Sequence, residues 1–366
     1  MSFLSKIKIA IQKFAEDDYH EDDVKALIAI REKNTKSGKL LNWEGDNYDE
    51  WEGVYWTEEQ PSRVTDIELY IKEEYDKEKQ EKPYLFGEID LSPFKALDYF
   101  NFNRQKLTGI YANGLECLTV LKAEQNKLEF LELYGAYNLS RIYVDSNKLK
   151  SIDLSDCMNL EEINFSKNKL KIVDLTNSSK LEAIYFEDNK LECITGLDNL
   201  SRLVELSCYN NRLKKLEISN LNKLLYIYAS GNQLTKLDLT NKPELVHLHF
   251  SDNQISKIDL SKLPLLEVLH CENNQLKEID LSGLPELYQL RLGDNYITKL
   301  ELINFLKLES ANCENNRLEV ALLENLPVLE TLSAYDNDIQ ELHISACPEL
   351  KKNRISIDED AKVQYA

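Results

Sequence analysis

The sequence predicts an α/β repeat solenoid. A parallel β-sheet would form one face, extended or turn segments the other, and a helical cap the N-terminal end. Three observations carry this expectation. An asparagine recurs every 21 residues, with one step of 22, at Asn126, Asn147, Asn168, Asn189, Asn211, Asn232, Asn253, Asn274, Asn295, Asn316 and Asn337. Eight residues before each stands a leucine, from Leu118 to Leu329, and five before each stands Leu or Ile, Ala311 being the one departure. The spacing to the next such leucine leaves no room for a helix of two turns or more.

Each column has a physical reading. A single unit cannot bury its own apolar residues, so units must stack until the leucine columns merge into one core. The paired leucines alternate along a short strand and turn its apolar side inward. The asparagine amide, buried at the bend, bonds backbone groups that would otherwise be orphaned. A weaker copy (Leu97, Phe100, Phe102, Leu107) puts Gln105 in the asparagine position and brings the units to twelve. Gln105 is expected to do this task less well. Val64, Ile67 and Leu69 fit a strand before that copy, 33 residues before its equivalents instead of 21.

The motif LxxLxLxxNxL, followed by segments such as "SIDLS" at 151–155 and "KIDLS" at 257–261, resembles the 21-residue bacterial class of leucine-rich repeat proteins. The resemblance covers residues 97–349 and implies a horseshoe or arc with the parallel sheet on its concave face. At the front, Val24, Leu27, Ile28 and Arg31 have helical spacing behind acidic residues suited to a helix start. Trp51, Gly53 and Val54, with Arg63 to Leu69, resemble the N-terminal cap of plant-type leucine-rich repeat proteins. That pattern has a cysteine where Trp56 stands, so the seal here must be aromatic packing. The expected domains are a cap at 1–62, a solenoid at 63–349 and a C-terminal cap at 350–366. The solenoid would hold a first strand at 63–70, a charged insertion at about 70–87 and twelve repeats from about 97. Asp358 occupies the asparagine position of the terminal unit.

Composition narrows the function. Acidic residues outnumber basic ones 64 to 44, a net charge of −20. That balance disfavours nucleic acid and anionic membrane surfaces, and it permits a basic protein partner. Leu4, Ile7, Ile11 and Phe14 have amphipathic helical spacing and do not form a secretory signal. No run approaches the length of a spanning helix. Seven cysteines without a CxxC pair read as reduced thiols, three of them (Cys208, Cys271, Cys313) in one apolar column, which favours the cytoplasm. Secretion without a classical signal stays open.

Side chains six, four, two and one residues before the asparagine should line the concave face. They include Arg141, Tyr143, Tyr185, Tyr209, Tyr226, Tyr228, His247, His249, His270 and Arg291, flanked by an acidic border of Glu124, Asp145, Glu187, Asp188, Asp252, Glu272, Asp294, Glu314 and Asp336. Tyr, His and Arg offer large contact area with polar tips, the composition of interface hot spots. The sequence therefore points to a non-catalytic scaffold, monomeric and without a cofactor, that grips a protein partner; toxin neutralisation and a host-directed effector role both fit. The alternative is a metal-dependent site at His247, His249 and His270 with Glu272 as a further ligand. No P-loop, GxSxG, HExxH or dinucleotide-binding fingerprint is present.

Overall fold

The computed structural model describes residues 19–34, 43, 48–69 and 84–365. The amphipathic stretch around 4–14 and most of the charged insertion lie outside the described residues. The chain divides into two compact units, residues 1–181 and 182–366.

The first unit begins with helix α1 (Glu21–Lys33), entered through His20, whose side chain accepts a hydrogen bond from the Asp22 amide. Val24, Leu27 and Ile28 are buried, as their spacing predicts, but so is Asp23. Its carboxylate accepts from Arg63 Nη2 at 2.6 Å, Arg63 Nε at 3.2 Å and the Val64 amide at 2.9 Å. This group ties α1 to the strand Val64–Glu68, which pairs antiparallel with Val54–Trp56 on one side and parallel with Tyr99–Asn101 on the other. Gly53 permits the close approach at the open end of the antiparallel pair, where its carbonyl accepts from the Glu68 amide at 2.7 Å. Its φ is +75°, and a Cβ there would lie 2.2 Å from the Glu68 carbonyl oxygen. Trp43, Tyr48 and Trp51 are all buried. Trp43 stacks on Trp51 at 5.1 Å and Tyr48 meets Trp51 edge-on at 5.0 Å, while the Arg31 guanidinium lies 5.1 Å from the Trp51 ring centre.

From Tyr99–Asn101 the sheet of the first unit continues in parallel through Val120–Lys122, Arg141–Tyr143 and Glu162–Asn164. A second parallel sheet, Phe86–Asp90, Lys106–Tyr111 and Phe130–Glu132, forms its other side. The leucine columns lie between them; Leu118, Leu121, Leu128 and Leu139 are fully buried.

The second unit repeats this plan. Its main sheet runs Ala183–Tyr185, Glu205–Ser207, Tyr226–Tyr228, His247–His249, Val268–His270, Gln289–Arg291, Ser310–Asn312, Thr331–Ser333 and Ile355–Ser356, every neighbour parallel. A second parallel sheet of Lys299–Ile303, Val320–Glu324, Glu341–Ser345 and Lys362–Tyr365 backs its C-terminal part. The unit's first outer segment is the short strand Cys193–Thr195, and the outer segments between residues 214 and 283 are turns. In them the Asp of the DL[ST] signature accepts from the amide two residues on, as Asp259 does from Ser261 at 3.0 Å and Asp280 from Ser282 at 3.0 Å. The Ser261 and Ser282 hydroxyls, and after them these amides, hold the Asp259 and Asp280 carboxyls below the usual range.

The asparagines make a ladder. Asn253 Oδ1 accepts from the Leu234 amide at 2.9 Å, in the preceding turn, and its Nδ2 donates to Ala229 O at 3.0 Å, also in the preceding turn, and to Phe250 O and Ser251 O in its own. Asn232, Asn274, Asn295 and Asn316 repeat these bonds. Gln105 keeps both bonds to the earlier turn, accepting from Leu85 N at 2.8 Å and donating to Leu69 O at 2.6 Å. What it lacks, among the described residues, is the pair of bonds to its own strand. At the other end, Asp358 accepts from the amides of Asp336 and Asn337, each at 2.9 Å. Interior amides at these positions donate to carbonyls of the following turn, as Asp252 does to Glu272 and Asn253 to Asn273. The carboxylate replaces those carbonyls and closes the stack.

The residue before each asparagine is left-handed, with φ near +50° to +66°, from Gln125 through Asp188, Gly231, Asp252, Asp294 and Asp336. Asp, Asn and Gly tolerate that conformation best, so four of the nine border acids, Asp188, Asp252, Asp294 and Asp336, have a backbone cause. Cys208, Cys271 and Cys313 are buried in the core, and burial pushes the Cys208 and Cys313 thiols up to about 12. All seven cysteines are free. Lys242 is wholly buried where neighbouring turns carry Leu221 and Leu263. Its Nζ donates to Ser219 O and Thr240 O, and desolvation lowers its pKa.

Replacing Asp23 by Ala leaves the Val64 amide without its acceptor and the Arg63 guanidinium without its carboxylate, with the Pro93 carbonyl still bonded to Nη2. We expect a loss of about 3 kcal/mol, read as a lowered urea midpoint for the first unit. A loss below about 1 kcal/mol would show that the pair does not fasten α1.

Candidate binding face

Strand alternation decides which side chains of the second unit reach solvent. In His247–His249 the central Leu248 is buried and both histidines are half-buried, and Tyr226–Tyr228 follows the same pattern around Ile227. Because the strands pair in register, Tyr226 faces His247, Tyr228 faces His249, and His249 faces His270, which faces Arg291. The exposed side of the sheet is therefore a row of rings ending in a guanidinium.

The rings interlock. His249 stacks on His270 with centroids 4.1 Å apart, and His247 lies parallel to His249 at 6.2 Å. Tyr226 meets His247 edge-on at 5.2 Å and Tyr228 meets His249 edge-on at 4.9 Å. Tyr228 Oη is 3.3 Å from His247 Nδ1. At one end of the row Tyr185 donates to Glu205 Oε2 at 3.0 Å. Tyr209 stands two residues beyond its strand, where burial and then Glu187 and Asp188 raise its pKa. Arg291, half exposed, lies 3.9 Å from Glu272. In the first unit, Arg141 and Tyr143 hold the same register positions of the strand Arg141–Tyr143. Burial and a hydrogen bond to Glu162 push Tyr143 up to about 12.

His249 and His270 are both held down to about 4 from an ordinary 6.5. Desolvation is the largest cause for each. The neighbouring histidines come next for His249 and Arg291 for His270, while Glu272 and a Gln289 hydrogen bond respectively oppose the shift. Their Nε2 atoms are buried and have no hydrogen-bond partner among the described residues. The centre of the face is thus uncharged at neutral pH and carries two unmet hydrogen-bonding positions.

The alternative metal site does not assemble. Stacked imidazoles direct their in-plane lone pairs side by side, whereas a shared ion needs them to converge. Among the described residues no group of three His, Cys, Asp or Glu side chains is placed to hold a metal ion. Sequence reasoning located every residue of the ring row. It did not anticipate how tightly the rings pack, because ring-to-ring contact follows from strand register, which single-sequence spacing gives only approximately.

This combination of a 21-residue repeat, a parallel strand row and an asparagine ladder defines a leucine-rich repeat protein. The family profile for Leucine Rich repeats (2 copies) matches residues 243–283 and 264–304. No curated protein matches the chain. Among solved structures the chain is similar to the internalin InlF from Listeria monocytogenes, at 19% identity over 93% of this chain and 96% of that one, with a TM-score of 0.62. It is also similar to YopM, a leucine-rich effector protein from Yersinia pestis, at 28% identity over 74% and 78%, with a TM-score of 0.57. The functional domain of InlJ from Listeria monocytogenes matches at 24% identity and a TM-score of 0.55, over 64% of this chain, which spans 57% of that one. Among the described residues no helix is long and apolar enough to cross a membrane.

The histidine shifts set a pH window. Above about 6.5 both rings are neutral in folded and unfolded chains alike. Between 6.5 and about 4 the unfolded chain takes up protons that the folded one refuses, so stability falls with pH through that interval. The melting temperature of the wild type should therefore drop more steeply between pH 6.5 and 4 than that of a His249→Phe/His270→Phe variant. Parallel curves for the two proteins would contradict the buried, neutral assignment.

Proposed function

We propose that the protein is a non-catalytic scaffold that binds a protein partner through the exposed side of its strand row. The main contacts are Tyr185, Tyr209, Tyr226, Tyr228, His247, His249, His270 and Arg291, with Arg141 and Tyr143 in the first unit offering further contacts. The observation that carries this reading is the interlocked ring row itself. It is large, half-exposed and held by neighbouring strands, so a partner meets it with little ordering cost. The net charge of −20 argues against nucleic acid in this role. The likeness to YopM favours a host-directed effector role over toxin neutralisation, and the cytoplasm, of producer or host, suits seven free thiols.

The test replaces Tyr185, Tyr228 and His249 together by Ala and compares partner capture with that of the wild type, after circular dichroism establishes an intact fold. Capture should fall at least tenfold. Undiminished capture by the folded variant would remove this face from the account.

A further inference from the structure

The outer sheet of the second unit begins abruptly. Residues 278–282, Lys299–Ile303, Val320–Glu324 and Glu341–Ser345 hold the same place in successive turns, 21 residues apart, yet only the last three are strands. Asp280 accounts for the difference. Its carboxylate accepts from the Ser282 amide at 3.0 Å, a local turn that competes with the extended course of a strand. One turn on, Glu301 and Ile303 stand in place of that Asp and Ser, and the chain stays extended.

Lys299–Ile303 is therefore the edge strand of its sheet. The Asn304 amide donates to Glu324 O and the Thr298 carbonyl accepts from the Glu319 amide, so residues 298, 300, 302 and 304 face Val320–Glu324. The amides and carbonyls of Lys299, Glu301 and Ile303 point the other way, where no hydrogen bond from the described residues reaches them. On that side the strand and residues 277–282 enclose a cleft of about 430 Å³ that follows the strand from Thr298 to Ile303. Its floor is apolar, with Leu281, Leu300 and Phe305 buried and Ile279 half-buried. Its rim carries both signs of charge, and Lys299 and Glu301 pair with each other at 2.7 Å.

We propose that this cleft takes an extended peptide segment of a partner as an added strand, bonded through its main chain to the Lys299–Ile303 edge. Main-chain geometry selects the occupant. The edge repeats an N–H and a C=O every second residue, about 6.6 Å apart, and an extended chain repeats its own groups at the same interval. A helix spends those groups on itself. The sheet already shows what this edge accepts, since Val320–Glu324 meets the strand's other side over five residues in register, and Glu341–Ser345 joins Val320–Glu324 in the same way. Strand alternation then sets the side chains. Every second residue of the added strand points with Leu300 and Leu302 toward the apolar floor, and the others reach solvent between rim charges that balance. The segment that fits alternates apolar and polar residues and needs no net charge.

This site lies on the outer side, apart from the ring row, and is tested separately from it. The blocked pentapeptide acetyl-Thr-Val-Thr-Val-Thr-amide is titrated into the full chain and hydrogen exchange is followed residue by residue. The Glu301 and Ile303 amides should exchange rapidly without peptide and at least tenfold more slowly at saturation, with Tyr226–Tyr228 and His247–His249 unchanged. The same peptide with every amide N-methylated keeps its side chains, loses its donors and should give no protection. Glu301→Pro deletes the central outward N–H on a strand edge that tolerates proline, and should weaken binding at least tenfold, whereas Glu301→Ala should not. Slow exchange at Glu301 and Ile303 without peptide, no protection by the peptide, or equal protection by its N-methylated form would overturn the proposal. So would a Glu301→Ala loss as large as that of Glu301→Pro, which would assign binding to the side chain. Dimerisation of the chain that Glu301→Pro abolishes would give the edge to a second copy and overturn the peptide assignment.

Discussion

Each buried asparagine belongs to two turns at once, and the rest of the architecture depends on that double membership. Leucine stacking supplies most of the driving force, but apolar contact is non-directional and tolerates sliding. A short strand of three residues has little register of its own. The amide supplies what the leucines do not. Asn253 fixes the carbonyl of Ala229 and the amide of Leu234 relative to its own strand, so the offset between turns is set to the residue. The strand row is in register because the ladder is, and the rings of Tyr228, His249 and His270 meet only because the strands are in register.

Much of this was legible in the sequence, because a repeat writes the same constraint many times. The leucine columns, the asparagine column and the outward column of tyrosines and histidines all followed from alternation and a 21-residue step. What escaped was of two kinds. Contacts used once leave no periodic trace: Asp23 and Arg63 are 40 residues apart, and nothing in their spacing announces that one is buried against the other. The second kind is residues with a second job. Asp188, Asp252, Asp294 and Asp336 read as an acidic border, yet each sits at a left-handed bend that also accepts Asn273 and Gly231. Conformation explains their choice at least as well as charge does.

The ends of the stack illustrate the same logic under different boundary conditions. Gln105 reaches back to the preceding turn with a longer arm and gives up bonds to its own strand. Asp358, in the following unit, accepts with its carboxylate two amides that elsewhere donate to backbone carbonyls. A terminal unit can relax the motif, but the backbone groups facing it still need partners.

The most direct measurement of the account is hydrogen exchange at the Leu234 amide in an Asn253→Ala variant. If the asparagine sets the register, that amide loses its side-chain acceptor and the stack loses about 2–3 kcal/mol. Exchange at Leu234 should accelerate sharply, with protection also falling in Tyr226–Tyr228 and His247–His249. An Asn253→Ala protein as stable as the wild type, with Leu234 still protected, would show that leucine packing alone aligns the turns and that the ladder is incidental.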